Sequence, residues 1–121
     1  MWKKPNKLTI GALSYKVKYV VPGSRAAKEL IEGESGCINQ ERHLIEIDKN
    51  ISDQMTLLVL IHEILHGIGD AMSPNRSPFS KENFTCTVAE LLISAFQSAG
   101  LLPTLSADLP RPNLGTRKYK K

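Results

Sequence analysis

Cysteine is scarce in this chain. Only Cys37 and Cys86 occur among its 121 residues, too few for the disulfide framework that holds small extracellular domains together. Two free, buried thiols are expected instead, and with them a reducing, cytoplasmic setting. No unbroken run of about 18 apolar residues is present, so no membrane span is expected. The opening MWKKPNKL has basic residues without an apolar stretch behind them, so a secretory leader is not expected either. Internal repeats and low-complexity segments are also missing.

Both ends lack negative charge. Lys3, Lys4 and Lys7 at the start, with Arg111, Arg117, Lys118, Lys120 and Lys121 at the finish, make up half of the 16 basic residues. The formal charge of +4 therefore belongs to the termini, and the body from 8 to 110 is acidic. We read residues 1–7 and 101–121, the latter with Pro103, Pro110 and Pro112, as solvated extensions, the second poorly ordered. A tail that contacts nucleic acid is the alternative, but only Tyr119 supplies an aromatic there. With 41% apolar and 23% charged residues, the remaining 8–100 suits one globular domain around a single core.

Within that body, KLTIGALSYKVKYVV (7–21) alternates Tyr15, Val17, Tyr19 and Val21 with Lys16 and Lys18, the pattern of a half-buried strand. SRAAKELIEG predicts a short helix with Ser24 as its cap and Gly33 as its stop. SGCINQERHLIEID predicts a hairpin, Cys37-Ile38 against Leu44 to Asp48, turning around Gln40 to Arg42. A helix capped by Ser52 or Asp53 follows and frays at Gly67 and Gly69. A second long helix runs from Ser80 as cap to Gly100 as stop. The expected fold is α+β: a small sheet covered by the Ser52–Gly69 helix and crossed by the Ser80–Ala99 helix.

The first helix poses a problem. LLVLIHEILHGIGD, residues 57–70, is the most apolar segment of the chain, yet it holds His62, Glu63 and His66. Unpartnered, three buried polar groups would cost several kcal/mol. Histidines at i and i+4 share a helix face, close enough for both rings to reach one ion at the roughly 2.0–2.1 Å of a Zn–N bond. Glu63 projects about 100° around the helix. It is therefore placed to accept a proton from a water on that ion rather than to bind it. The ordinary alternative, core histidines satisfied by protein, accounts poorly for two of the three histidines falling at this spacing around a glutamate.

A catalytic zinc needs a third protein ligand and an open position. In the pattern H-E-x-x-H-x-x-G-x-x-H/D that ligand would fall at Met72, so this route fails. Asp70 reaches only if the helix survives its glycines, and His43 is expected to be an exposed strand residue. On the second helix a wheel of 100° per residue places Glu82 with Phe96, Ala89, Ile93 and Cys86, an apolar stripe. Glu90 falls among Gln97, Asn83, Ser94 and Thr87, the polar face. Glu82 is the favoured ligand, ahead of Glu90, Asp70 and His43, although an acid in a first helical turn also suits the helix dipole.

Two histidines from one helix and a glutamate from the next resemble the gluzincin arrangement. The chain is similar to the small zincin-like metallopeptidases often encoded by phages and prophages, related to the ImmA/IrrE-type peptidases. The likeness covers roughly residues 8–97: LTIGALSYKV, the glycine-containing IEGESGCINQERHLIEID, LLVLIHEILHGIGD and FSKENFTCTVAELL. It implies a zinc-dependent peptidase acting on a peptide or protein substrate. The zinc would sit on His62, His66 and Glu82, with Glu63 as general base. In such families the acidic ligand stands about seven positions before a small-residue pair such as Val88-Ala89, which again lands on Glu82. Substrate would pair with an edge strand, at Gly36 to Asn39 or Leu44 to Glu46. No downstream His or Tyr is evident to stabilise an oxyanion, so a non-catalytic zinc-stabilised binding or scaffolding protein is the alternative.

Overall fold

The computed structural model describes residues 2–72 and 78–107. It is an α+β fold with four strands and two helices: β1 (Lys7–Ile10), β2 (Leu13–Val20), β3 (Gly36–Asn39), β4 (Leu44–Asp48), α1 (Asp53–Met72) and α2 (Glu82–Ser98), with a 3-10 turn at Pro78–Ser80 before α2.

The sheet is mixed, in the order β1-β2-β4-β3. β1 and β2 are antiparallel, β2 and β4 parallel, and β3 and β4 antiparallel. The expected single strand over 7–21 is thus a hairpin. Gly11, at φ 61, takes the left-handed conformation the turn needs, so Leu8 pairs with Tyr15 and Lys7 with Lys16. The predicted alternation holds from Leu13 to Lys18, but it breaks at the end of β2, where Tyr19 is half-buried and Val20 buried, and Val21 lies beyond the strand and is exposed. The expected hairpin of β3 and β4 forms, and its register sets Ile38 opposite Ile45 and Gly36 opposite Ile47.

Side chains alternate across the sheet. Tyr15, Val17, Ile45 and Ile47 form the core face with Ile10, and α1 packs Val59 and Leu60 onto it. By length and composition α1 could cross a membrane, which qualifies the expectation that nothing here does; in this fold Val59, Leu60, Ile64 and Ile68 are used to cover the sheet. Ser52 caps it, its Oγ accepting from the Met55 N–H at 3.1 Å. The helix does not fray at Gly67 and Gly69 but runs on to Met72. Gly67 has another role. A Cβ there would stand 2.7 Å from Ile10 Cδ1 and 3.0 Å from Ile38 Cδ1, so its bareness lets α1 lie close to the sheet.

The predicted helix at Ser24–Gly33 is absent. The backbone N–H groups of Lys28, Glu29 and Leu30 turn to the carboxylate of Glu46 instead of to carbonyls one helical turn back. Tertiary bonding has overridden local propensity. Ser24, the expected cap, has its Oγ buried without a hydrogen-bond partner.

Ser80 belongs to the 3-10 turn, and α2 begins after Lys81, which makes no side-chain cap. Gly100, at φ 78, closes α2 as expected, with the Leu101 N–H donating to the Phe96 carbonyl at 2.8 Å. The stretch read as a poorly ordered tail begins by returning to the helices. Gln97 Nε2 donates to the Pro103 carbonyl at 2.8 Å, and the Gln54 N–H to the Ser106 carbonyl at 3.0 Å. The basic residues at 111–121, with the proposed nucleic-acid contact, lie outside the described residues. At the other end, Tyr19 donates to the Pro5 carbonyl at 2.7 Å and Lys4 stands over its ring, so part of the N-terminal extension is bound to the sheet.

Candidate metal centre

The cleft between α1 and α2 brings together three of the residues singled out by sequence. His62 and His66 project from one face of α1, their ring centroids 4.7 Å apart. Glu82 meets them from the first turn of α2. Its Oε1 lies 3.1 Å from His62 Nε2 and 2.5 Å from His66 Nε2, and the two Nε2 atoms are 3.1 Å apart. These three form a group able to hold a metal ion. Bonds of 2.0–2.1 Å at tetrahedral angles would separate ligand atoms by about 3.3 Å, so two of the three spacings fit closely and the His66–Glu82 pair would have to open by about 0.8 Å.

The hydrogen bonding supports the same conclusion. His66 Nδ1 lies 2.5 Å from the Phe79 carbonyl oxygen. A carbonyl can only accept, so Nδ1 is assigned the proton and the neutral ring keeps its lone pair on Nε2. That lone pair faces Glu82 Oε1, another acceptor. Two acceptors in contact repel unless a proton or a cation lies between them, and a divalent ion satisfies both atoms and His62 together. Burial pushes the Glu82 carboxyl up, but its contacts with the two histidines outweigh it and hold it below the ordinary range.

Glu63 is 7% exposed and no hydrogen bond to its carboxylate is found among the described residues. Burial first, then the charges of Glu82 and Glu34, push its pKa up to about 7 against the opposing pull of His66. A cation at the cluster would add to that pull. Beside it runs β3. A Cβ on Gly36 would stand 2.4 Å from Val59 Cγ1 and 3.4 Å from Glu63 Oε2, so the glycine allows the strand to pass directly over the carboxylate. Of the two expected edges, only Gly36–Asn39 is one; Leu44 to Glu46 lies inside the sheet, between β2 and β3.

The other candidates are elsewhere. Glu90 lies about 12 Å further along α2, exposed, in a groove of roughly 330 Å³ formed with Ser52, Met55 and Ile93. His43 is exposed in the β3–β4 turn at φ 52, its ring 5.8 Å from that of Tyr15. Asp70 stands outside the converging group, its charge bearing on the Tyr15 phenol. Ala89 and Ile93 are buried as the wheel implied, whereas Phe96 and Cys86 are exposed. Both thiols are free, and only Cys37 is even partly covered. Burial pushes the Cys37 thiol up to about 12 and raises that of Cys86, so neither is primed as a nucleophile.

Sequence reasoning missed three residues that shape this region. Glu46 organises the loop on the far face of the sheet, Phe79 offers its carbonyl to His66, and Thr85 holds that carbonyl at 3.1 Å. Only Glu46 left a trace in the sequence, an acid among the apolar residues of LIEID. No protein-family model, curated protein or solved structure matches the chain.

Proposed function

We propose that this chain is a zinc-dependent metallopeptidase of the gluzincin kind, working in the cytoplasm on a peptide or protein substrate. The observation that carries the reading is the meeting of His62 Nε2, His66 Nε2 and Glu82 Oε1 at one point, beside a buried glutamate that has no hydrogen bond among the described residues. Two nitrogens, one carboxylate oxygen and an open side suit zinc among the common divalent ions. Bound there, zinc would supply Lewis acidity, making a water more acidic and a carbonyl more electrophilic.

The chain's own residues do the rest. Glu63 takes a proton from the attacking water as its oxygen adds to the scissile carbonyl carbon. It then returns that proton to the amine nitrogen as the C–N bond breaks. Substrate lies extended along β3, pairing by main chain past Gly36, which delivers its carbonyl to Glu63. The test is Glu63→Gln, assayed for cleavage of a pooled peptide library and for bound zinc. Zinc retained with cleavage lost is expected; zinc retained with undiminished cleavage would sink the role.

One observation favours a second reading, a zinc-stabilised binding or scaffolding protein. His43 stands in a distant turn, Tyr15 in the core, and Tyr19 is bonded to Pro5. Among the described residues, then, no His or Tyr remains to hold an oxyanion, a contribution often worth about 3 kcal/mol. On that reading Glu63→Gln leaves biological function intact, while His62→Ala lowers the melting temperature.

A further inference from the structure

Glu82, Thr85 and Cys86 stand at i, i+3 and i+4 on α2 and so share one face. Glu82 bears on the cluster directly. Thr85 is completely buried, and its Oγ1 lies 2.8 Å from the Lys81 carbonyl and 3.1 Å from that of Phe79, so its one proton is shared between the two. The Phe79 carbonyl is the acceptor for His66 Nδ1. Cys86 Sγ lies 3.5 Å from His62 Nδ1, the ring nitrogen directed away from the cluster. Each histidine is thus held at its outer nitrogen by a group that this single turn of α2 either supplies or steadies.

We propose that Thr85 and Cys86 are positioning residues of the metal centre. Thr85 steadies the Phe79 carbonyl that orients His66, and Cys86 accepts the Nδ1–H of His62. One turn of α2 thereby aims both Nε2 atoms at the ion. The inference rests on the metal-binding reading given above. The physical reason is pre-organisation. An unsupported imidazole rotates about two torsions and exchanges its proton between nitrogens, and binding must then pay for fixing both. The two supports are unequal, since a carbonyl is a strong acceptor and sulfur a weak one. His66 is therefore the firmly held ligand and His62 the softer one.

The experiment measures zinc affinity by competition with a chromophoric chelator, together with the melting temperature of each metal-free protein. The proteins are the wild type, His66→Ala, Thr85→Val, Thr85→Ser, Cys86→Ala and Cys86→Ser. Expected are one zinc on the wild type, none on His66→Ala, and a weakening of tenfold or more in Thr85→Val and Cys86→Ala. The serine variants keep an oxygen in place and restore most of the affinity, and the metal-free melting temperatures stay together. Unchanged affinity in Thr85→Val and Cys86→Ala, with zinc on the wild type, overturns the proposal alone. So does a loss that follows the metal-free melting temperature and is not restored by serine. A wild type that binds no zinc overturns the metal reading itself, and this inference with it.

Discussion

Glu46 and Glu63 are both buried glutamates on elements that pack together, and the chain treats them in opposite ways. On the outer face of the sheet, the Glu46 carboxylate is completely buried and accepts from the N–H groups of Lys28, Glu29 and Leu30 at 2.7 to 3.1 Å. Burial pushes its pKa up, but those donors and the charge of Lys18 outweigh it and hold the group below the ordinary range. In the helix cleft, Glu63 has burial without a donor among the described residues, and its pKa rises to about 7. One acid is finished by the protein and belongs to the architecture. The other is left open, which costs stability and makes sense where a ligand is to complete it. Gly36 marks the boundary: a Cβ there would meet Glu63 Oε2 on one side and the Glu46 carbonyl on the other.

The sharpest way to break this contrast is to neutralise each glutamate and ask what is lost. Glu63→Gln should lower peptide cleavage by about 10²–10⁴-fold, the range of a general base. Its metal-free melting temperature should be no lower than wild type, because an unsatisfied carboxyl has been removed. Steady-state cleavage and a thermal melt on the same preparation check both halves. A marked fall in melting temperature would show that Glu63 is structural after all.

Glu46→Leu should do the reverse. The buried Leu30 N–H loses its acceptor at about 1–3 kcal/mol, and the part-buried N–H groups of Lys28 and Glu29 lose theirs at a smaller cost, so a loss of about 2–3 kcal/mol is expected in denaturant unfolding. Well below its lowered melting temperature, the variant should still bind zinc. Zinc itself gives the next effect. At a hundred times its dissociation constant it should stabilise the wild type by about 2.7 kcal/mol, reversed by chelator, and should do nothing for His66→Ala. Equal stabilisation of both proteins would place the ion elsewhere.

How far these features could be read in advance depended on how local their causes are. His62, Glu63 and His66 fall within five residues of one helix, so periodicity alone sets them on neighbouring faces. Glu82 was legible because α2 puts it on the side of Ala89 and Ile93, which are buried, although its own side chain stays 70% exposed. The hairpin of β3 and β4 was legible for the same kind of reason. The loop over Lys28–Leu30 was not, because its hydrogen bonds end on a carboxylate 16 to 18 residues away, and local pattern reported only that the segment could be a helix. Phe79 was invisible in a stricter sense. It acts through its main-chain carbonyl, which any residue would supply.

The smallest effect tests the same contrast through pH. The Glu46 carboxyl is depressed in the folded chain relative to an unfolded value near about 4.3, so the folded state favours its charged form. Its contribution is therefore complete above that value and is lost as pH falls through the folded-state pKa. Unfolding free energies measured from pH 6 downward should be level at first and then decline in the acid range. In Glu46→Gln, which keeps an acceptor but no titrating group, the decline should be shallower and the starting stability lower. If the two curves run parallel below pH 5, other carboxylates govern acid unfolding, and Glu46 holds its loop by shape rather than by charge.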